Sequence, residues 1–191
     1  MIKYICFLIF KISGWKFHNN IPKNIKSFVF IGAPHTSNFD FIPAMTISYL
    51  INTPTNFVIK KEWLFFPLNL FFKSIGGIGI ERNKNNKSKD HLSYTDAMAK
   101  LFSQYNPFIL MISPEGTRKP NPHWKSGFYY IAQKAQVPIV LGYADYAKKE
   151  AGLGAIIYPT HFESDMKKIA NFYQNITGKN PNNFILPKIE H

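Results

Sequence analysis

Phe28-Val29-Phe30-Ile31-Gly32-Ala33-Pro34-His35-Thr36-Ser37-Asn38-Phe39-Asp40-Phe41 is the stretch on which the reading of this chain turns. Its first four residues are an uninterrupted apolar run, short enough for a strand buried on both faces. From Phe41 onward apolar residues recur at helical spacing, so the small and polar residues between form a strand-to-helix turn. His35 and Asp40 stand five positions apart in that turn. One continuous helix would point them to different sides. With His35 in the turn and Asp40 in the first helical turn, the two side chains fold back toward each other. A carboxylate on one imidazole nitrogen fixes the tautomer and leaves the other nitrogen free as a base.

The same alternation runs through the chain. Strands are expected at Asn56–Ile59, near Gly76–Ile80, at Pro107–Ile112 and at Val137–Leu141, with Ala155–Tyr158 pairing beside the last. Helices are expected from the spacing of Ile2, Cys6, Ile9 and Phe10, and of Ile42, Met45, Tyr49 and Leu50. Further helices follow from Tyr94 to Tyr105, from Phe128 to Ala135 and from Met166 to Tyr173. Short apolar strands alternating with helices predict an α/β fold: a mostly parallel central sheet with helices on both faces. Residues 1–24 read as an apolar N-terminal segment and linker, 25–178 as one domain, and 179–191 as a loosely structured tail.

Composition narrows the function. The 191 residues are 46% hydrophobic and 16% aromatic, which excludes a disordered chain. Lys and Arg number 23 against 11 Asp and Glu, a formal charge of +12 that favours an anionic partner: nucleic acid, an anionic membrane surface or a phosphorylated substrate. The lysines are scattered and no zinc spacing, RNA-recognition signature or helix-turn-helix pattern accompanies them, so nucleic acid is not expected. The single cysteine, Cys6, excludes a disulfide framework. The apolar run Met1–Phe10 is about half the roughly 20 residues of a spanning helix. No small-residue cleavage site follows it, so no signal peptide is expected. It reads equally as an interfacial anchor or as a core-packing helix. The aromatic run at 63–72, WLFFPLNLFF, is broken by Pro67 and flanked by Lys60, Lys61 and Lys73, and reads as a surface that dips into lipid.

Polar residues with chemical potential gather at strand ends, where open α/β sheets place their sites. Pro114-Glu115-Gly116-Thr117-Arg118 combines a glycine that lets backbone N–H groups approach an anion with a guanidinium fork matched to phosphate. Glu115 is expected to pair with an arginine and hold it. Arg82 ends the segment Gly76-Gly77-Ile78-Gly79-Ile80-Glu81.

Taken in order, HTSNFD, GGIGIER, SPEGTR and VPIV resemble the four blocks of the glycerolipid acyltransferases, the 1-acylglycerol-3-phosphate and lysophospholipid acyltransferase family. The resemblance implies transfer of a fatty acyl group from a thioester, acyl-CoA or acyl carrier protein, to a lysolipid hydroxyl. His35 would be the general base and Asp40 its orienter. Arg82 would hold the acceptor phosphate, Gly116, Thr117 and Arg118 would complete the cradle with Glu115 supporting it, and Lys60 would face the same phosphate. Ser37 and Asn38 would shape the turn, with Asn38 capping the helix, and Pro138 would shape the acyl or acceptor pocket. No metal or bound cofactor is implied; the acyl thioester enters as co-substrate. An anionic membrane surface is the implied partner, on the cytoplasmic side, contacted peripherally. Ser113 stands where the third block usually opens with an aromatic, and Gly79 where a bulky residue is usual. The fourth block lacks a second proline and runs on to Asp145-Tyr146. The acceptor is lysophosphatidate, another lysophospholipid or a non-phosphate lysolipid such as an aminolipid. A non-catalytic lipid-binding relative is the alternative to an enzyme.

Overall fold

The computed structural model describes residues 1–53, 55–80 and 93–188. Seven strands form one sheet: β1 (Lys16–Asn19), β2 (Phe28–Gly32), β3 (Thr55–Lys60), β4 (Gly77–Ile80), β5 (Ile109–Ile112), β6 (Ile139–Asp145) and β7 (Glu150–Ile157). Their order is β1-β7-β6-β2-β5-β3-β4. The five strands from β6 to β4 are parallel, β7 runs antiparallel to β6, and β1 pairs parallel with β7. Six α-helices among the described residues accompany the sheet: α1 (Ile2–Ile12), α2 (Phe41–Leu50), α3 (Leu68–Ser74), α4 (Tyr94–Gln104), α5 (Gly127–Ala135) and α6 (Phe162–Tyr173).

Period-two alternation divides the core between the sheet's faces. Val29, Ile31, Leu110, Ile139 and Leu141 point to one side, where they meet Met98 and Phe102 of α4, Phe128 and Ile131 of α5 and Ile169 and Tyr173 of α6. Phe28, Phe30, Ile109 and Val140 point to the other, under Phe10 of α1 and Ile47 of α2. The expected architecture, helices on both faces of a mostly parallel sheet, is the one found.

Several elements differ from expectation, each for a local reason. Residues 1–24, read as an apolar segment and linker, contain β1, which carries no apolar run and takes its place by pairing with β7. Strand β6 continues past Leu141 to Asp145, and at Gly142 the Phe30 ring lies across the strand where a Cβ would stand 1.6 Å from it. The partner of β6 begins at Glu150, well before Ala155. Helix α2 is enclosed on more than one stripe. Met45, Thr46, Ile47 and Ser48 are buried while Tyr49 is exposed, its ring 5.3 Å from that of Phe7 in α1. Thr46 and Ser48 tolerate burial by donating to the Ile42 carbonyl and to the Thr55 hydroxyl.

Residues after Gly178 are not a loose tail where the structure describes them. Asn180 donates to Thr36, Trp124 Nε1–H donates to the Ile185 carbonyl at 3.1 Å, and the Lys188 N–H donates to the Pro122 carbonyl at 2.9 Å.

Candidate active site at the carboxyl ends of β2, β5 and β6

The turn after β2 is wound around one carboxylate. Asp40 Oδ2 accepts the backbone N–H groups of Thr36 at 2.8 Å and Ser37 at 2.9 Å, and lies 3.2 Å from His35 Nδ1. Its other oxygen, Oδ1, accepts the Tyr146 hydroxyl at 2.8 Å. Ser37 is the cap: its Oγ accepts the Phe39 N–H, and with Asp40 it forms a reciprocal capping box over the 3₁₀ turn Asn38–Asp40 that leads into α2. Asn38, expected to cap, is instead exposed on the rim of the cleft. Burial works against ionisation of Asp40, yet the donors from His35, Ser37 and Tyr146 hold its carboxyl below the ordinary range. A carboxylate so held keeps the proton on Nδ1 and leaves Nε2 of His35 with its lone pair.

Glu115 stands behind this pair. Its side chain is buried, and Oε1 accepts the backbone N–H of His35 at 2.6 Å. The expectation that it holds an arginine gives way to this contact, and no ion pair among the described residues includes it. Burial pushes its carboxyl up to about 7, against the His35 N–H, which favours the ionised form. Asn121, which the sequence did not single out, fixes the loop by donating to the carbonyls of Glu115 and His123.

Gly116 has φ +65°, the left-handed region that glycine enters freely, and this bends the chain from β5 into the loop. Thr117 Oγ1 accepts the Lys119 N–H within the same loop. Arg118 is exposed and lines the cleft, so of the third block it is the cation brought to the site. Lys60 is the last residue of β3, on the same edge of the sheet as Gly32 and Ile112. Arg82 lies outside the described residues, as do Glu81 and the lysine-rich loop after it. Pro138 is not a pocket residue. It precedes β6, and its carbonyl accepts the Val29 N–H at the start of β2, the opposite edge of the sheet from His35.

The cleft has a volume of about 720 Å³, within the range of small-molecule sites. His35, Asn38, Ser113 and Arg118 mark its polar part; Phe30, Met45, Ile47, Phe57, Phe72 and Met111 line the apolar part. Phe71 and Phe72 of α3 both line it, while the neighbouring Phe66 and Leu70 are exposed. The cleft thus joins the His35 imidazole at one end to an apolar surface at the other.

Two further residues complete the site without any signal in local spacing. Tyr146 reaches Asp40 from across 106 positions. Tyr173, fully buried, shares its hydroxyl between the carbonyls of Ile31 and Gly142, each at 3.0 Å, tying β2 to β6 under the site.

A family model described as Acyltransferase matches residues 15–141, more than half of the chain and inclusive of His35, Asp40 and Glu115–Arg118. No curated protein matches the sequence.

Proposed function

The chain belongs to the acyltransferase family, and on that premise we propose that it is a membrane-surface O-acyltransferase whose acceptor is a lysophospholipid, lysophosphatidate first. The observation that carries this reading is the His35–Asp40 pair, 3.2 Å apart, at the polar end of an apolar cleft with Arg118 on its rim. The acceptor hydroxyl gives its proton to His35 Nε2 as its oxygen attacks the thioester carbonyl carbon. Asp40 stabilises the imidazolium that forms. The tetrahedral intermediate collapses, the C–S bond breaks, and the imidazolium returns the proton to the leaving thiolate. The products are an ester and a free thiol, with no acyl-enzyme.

The apolar end of the cleft takes the acyl chain. Arg118, with Lys60 and Arg82 as further cations, takes the acceptor phosphate by charge-assisted hydrogen bonds. No helix among the described residues is long and apolar enough to cross a membrane. Contact with lipid is assigned to the exposed Phe65, Phe66 and Leu70 and to the outer side of α1, on the cytoplasmic face of an anionic bilayer.

The test is purified protein on anionic liposomes with a panel of lysolipids and either acyl-CoA or acyl carrier protein, followed by thiol release and mass spectrometry of the product. Acylated lysophospholipid with stoichiometric thiol is the expected result. No acylated lipid, or a rate unchanged in His35→Ala, overturns the reading; acylation confined to an aminolipid removes the phosphate role of Arg118 while leaving the chemistry.

A further inference from the structure

The carboxylate of Asp40 is held from two sides, and the second side lies outside residues 15–141, the region that the family model matches. Oδ2 is held by its own turn. Oδ1 is held by Tyr146, at the tip of the β6–β7 hairpin. The terminal torsion of an aspartate is broad and roughly two-fold, so donors on one oxygen alone leave the carboxylate plane loosely set. A partner on the other oxygen sets it.

Tyr146 is itself fixed. Its backbone N–H donates to the Thr177 carbonyl at 2.8 Å, and the Trp15 ring stands edge-on to its ring at 4.8 Å between centroids. Three residues on, the Asn180 N–H donates to Thr36 Oγ1 at 3.1 Å and Asn180 Nδ2–H to the Thr36 carbonyl at 2.9 Å. Thr36 in turn donates its N–H to Asp40. The contacts close a ring: Asp40 to Tyr146, along the segment 177–180, to Thr36 and back to Asp40. Lys179 lies in the same segment, its Nζ 3.5 Å from the centroid of the Phe39 ring in the catalytic turn.

We propose that Tyr146 is a positioning residue for the His35–Asp40 pair, and that the segment 177–180 is a strap that keeps Tyr146 and the catalytic turn in one register. Tyr146 takes no part in proton transfer. It acts through Asp40, whose plane decides whether the His35 proton stays on Nδ1. The inference rests on the acyl-transfer reading for its consequence in rate, but not for its consequence in imidazole tautomer.

Two variants test it. Tyr146→Phe keeps the ring under Trp15 and removes one hydroxyl. Asn180→Ala changes an exposed residue and removes the side-chain bond to Thr36 while its backbone bond remains. In full-length protein, kcat is expected to fall roughly 10-fold in Tyr146→Phe, as befits loss of a hydrogen bond to a charged group. KM for donor and acceptor should stay within about two-fold. A smaller fall is expected in Asn180→Ala, and the double variant should be no worse than Tyr146→Phe, since both act through one carboxylate. Nitrogen-15 spectra of the His35 imidazole should show the Nδ1–H tautomer in the parent and a mixture with Nε2–H in both variants. An unchanged kcat and an unchanged tautomer in a folded Tyr146→Phe protein overturn the proposal, as does a rise in KM alone. If the parent transfers no acyl group but the tautomer shifts in the variants, the strap stands and the acyl-transfer reading falls.

Discussion

The backbone N–H of His35 donates to the buried carboxyl of Glu115 at 2.6 Å, across 80 positions of sequence. The loop after β5 therefore locates the histidine that follows β2. Burial of Glu115 makes the fold pH-sensitive, against this bond, which favours the ionised form. The Glu115 carboxyl is pushed up to about 7 from an ordinary 4.5, so between those values the folded chain keeps a proton that the unfolded chain releases. The stabilisation is complete below about 4.5 and is lost as pH rises through about 7. In Glu115→Gln the amide oxygen accepts the same N–H and nothing ionises. Thermal melts from pH 4 to 8 should show a decline for the parent across that window and a flatter line for the variant. The variant should overtake above pH 7, each kcal/mol being worth about 2–4 °C at this size. Parallel melting curves would show that Glu115 ionises at its ordinary value.

On the proposed reading, removal of the His35 imidazole should be the most damaging single change to turnover. His35→Ala is expected to lose on the order of 10²-fold or more in kcat. Asp40→Asn should lose a comparable factor and also stability. An amide Nδ2 cannot accept: turned toward Tyr146 it forfeits that hydroxyl's donation, and turned the other way it leaves the N–H groups of Thr36 and Ser37, which both donate to Oδ2, unpaired. Initial rates at saturating substrate and circular-dichroism melts separate the two effects.

Ala44, on α2, lines the cleft. Ala44→Phe should fill the space available to the far end of the acyl chain and shift preference toward shorter acyl donors. The change in stability should stay below about 1.5 kcal/mol, because the added ring enters open volume rather than packed core. A competition assay with donors of graded length reads the shift directly; unchanged selectivity would place the acyl chain elsewhere.

Phe66 and Leu70 are 77% and 62% exposed, so removing them has little folded packing to disturb. Phe66→Ser with Leu70→Ser should leave the melting temperature within a degree or two and weaken sedimentation with anionic liposomes by roughly 10-fold or more. Activity on a short-chain, water-soluble acceptor should persist. Equal liposome binding by parent and variant would move lipid contact away from α3.

Much of the site was legible because its chemistry is local. His35, Ser37 and Asp40 share one turn, and a serine three positions before an acidic residue at a helix start is a recognisable cap, a pattern that points to Ser37 rather than Asn38. Pro138 lies away from the cleft for a geometric reason. A block motif records proximity in sequence to a strand, but a strand has two ends, and three residues at ~3.3 Å each carry the chain from Val29 to Gly32 and the site edge. Tyr146 and Asn180 left no readable spacing, since each meets the turn at 35–40 from more than 100 positions away.

By itself the sequence determined the elements: apolar runs of strand length, helical spacings between them, and a histidine and aspartate at one strand-to-helix turn. Those properties depend on neighbours within a few residues, where backbone geometry sets what a side chain can reach. Tertiary structure alone decided which strand ends share an edge and that Glu115 turns to His35. It also decided that β1 and the strap join the body, and that the second oxygen of Asp40 has a partner. These follow from the strand order β1-β7-β6-β2-β5-β3-β4, which brings β5 and β6 against β2 and is settled by burying both faces of the whole sheet at once.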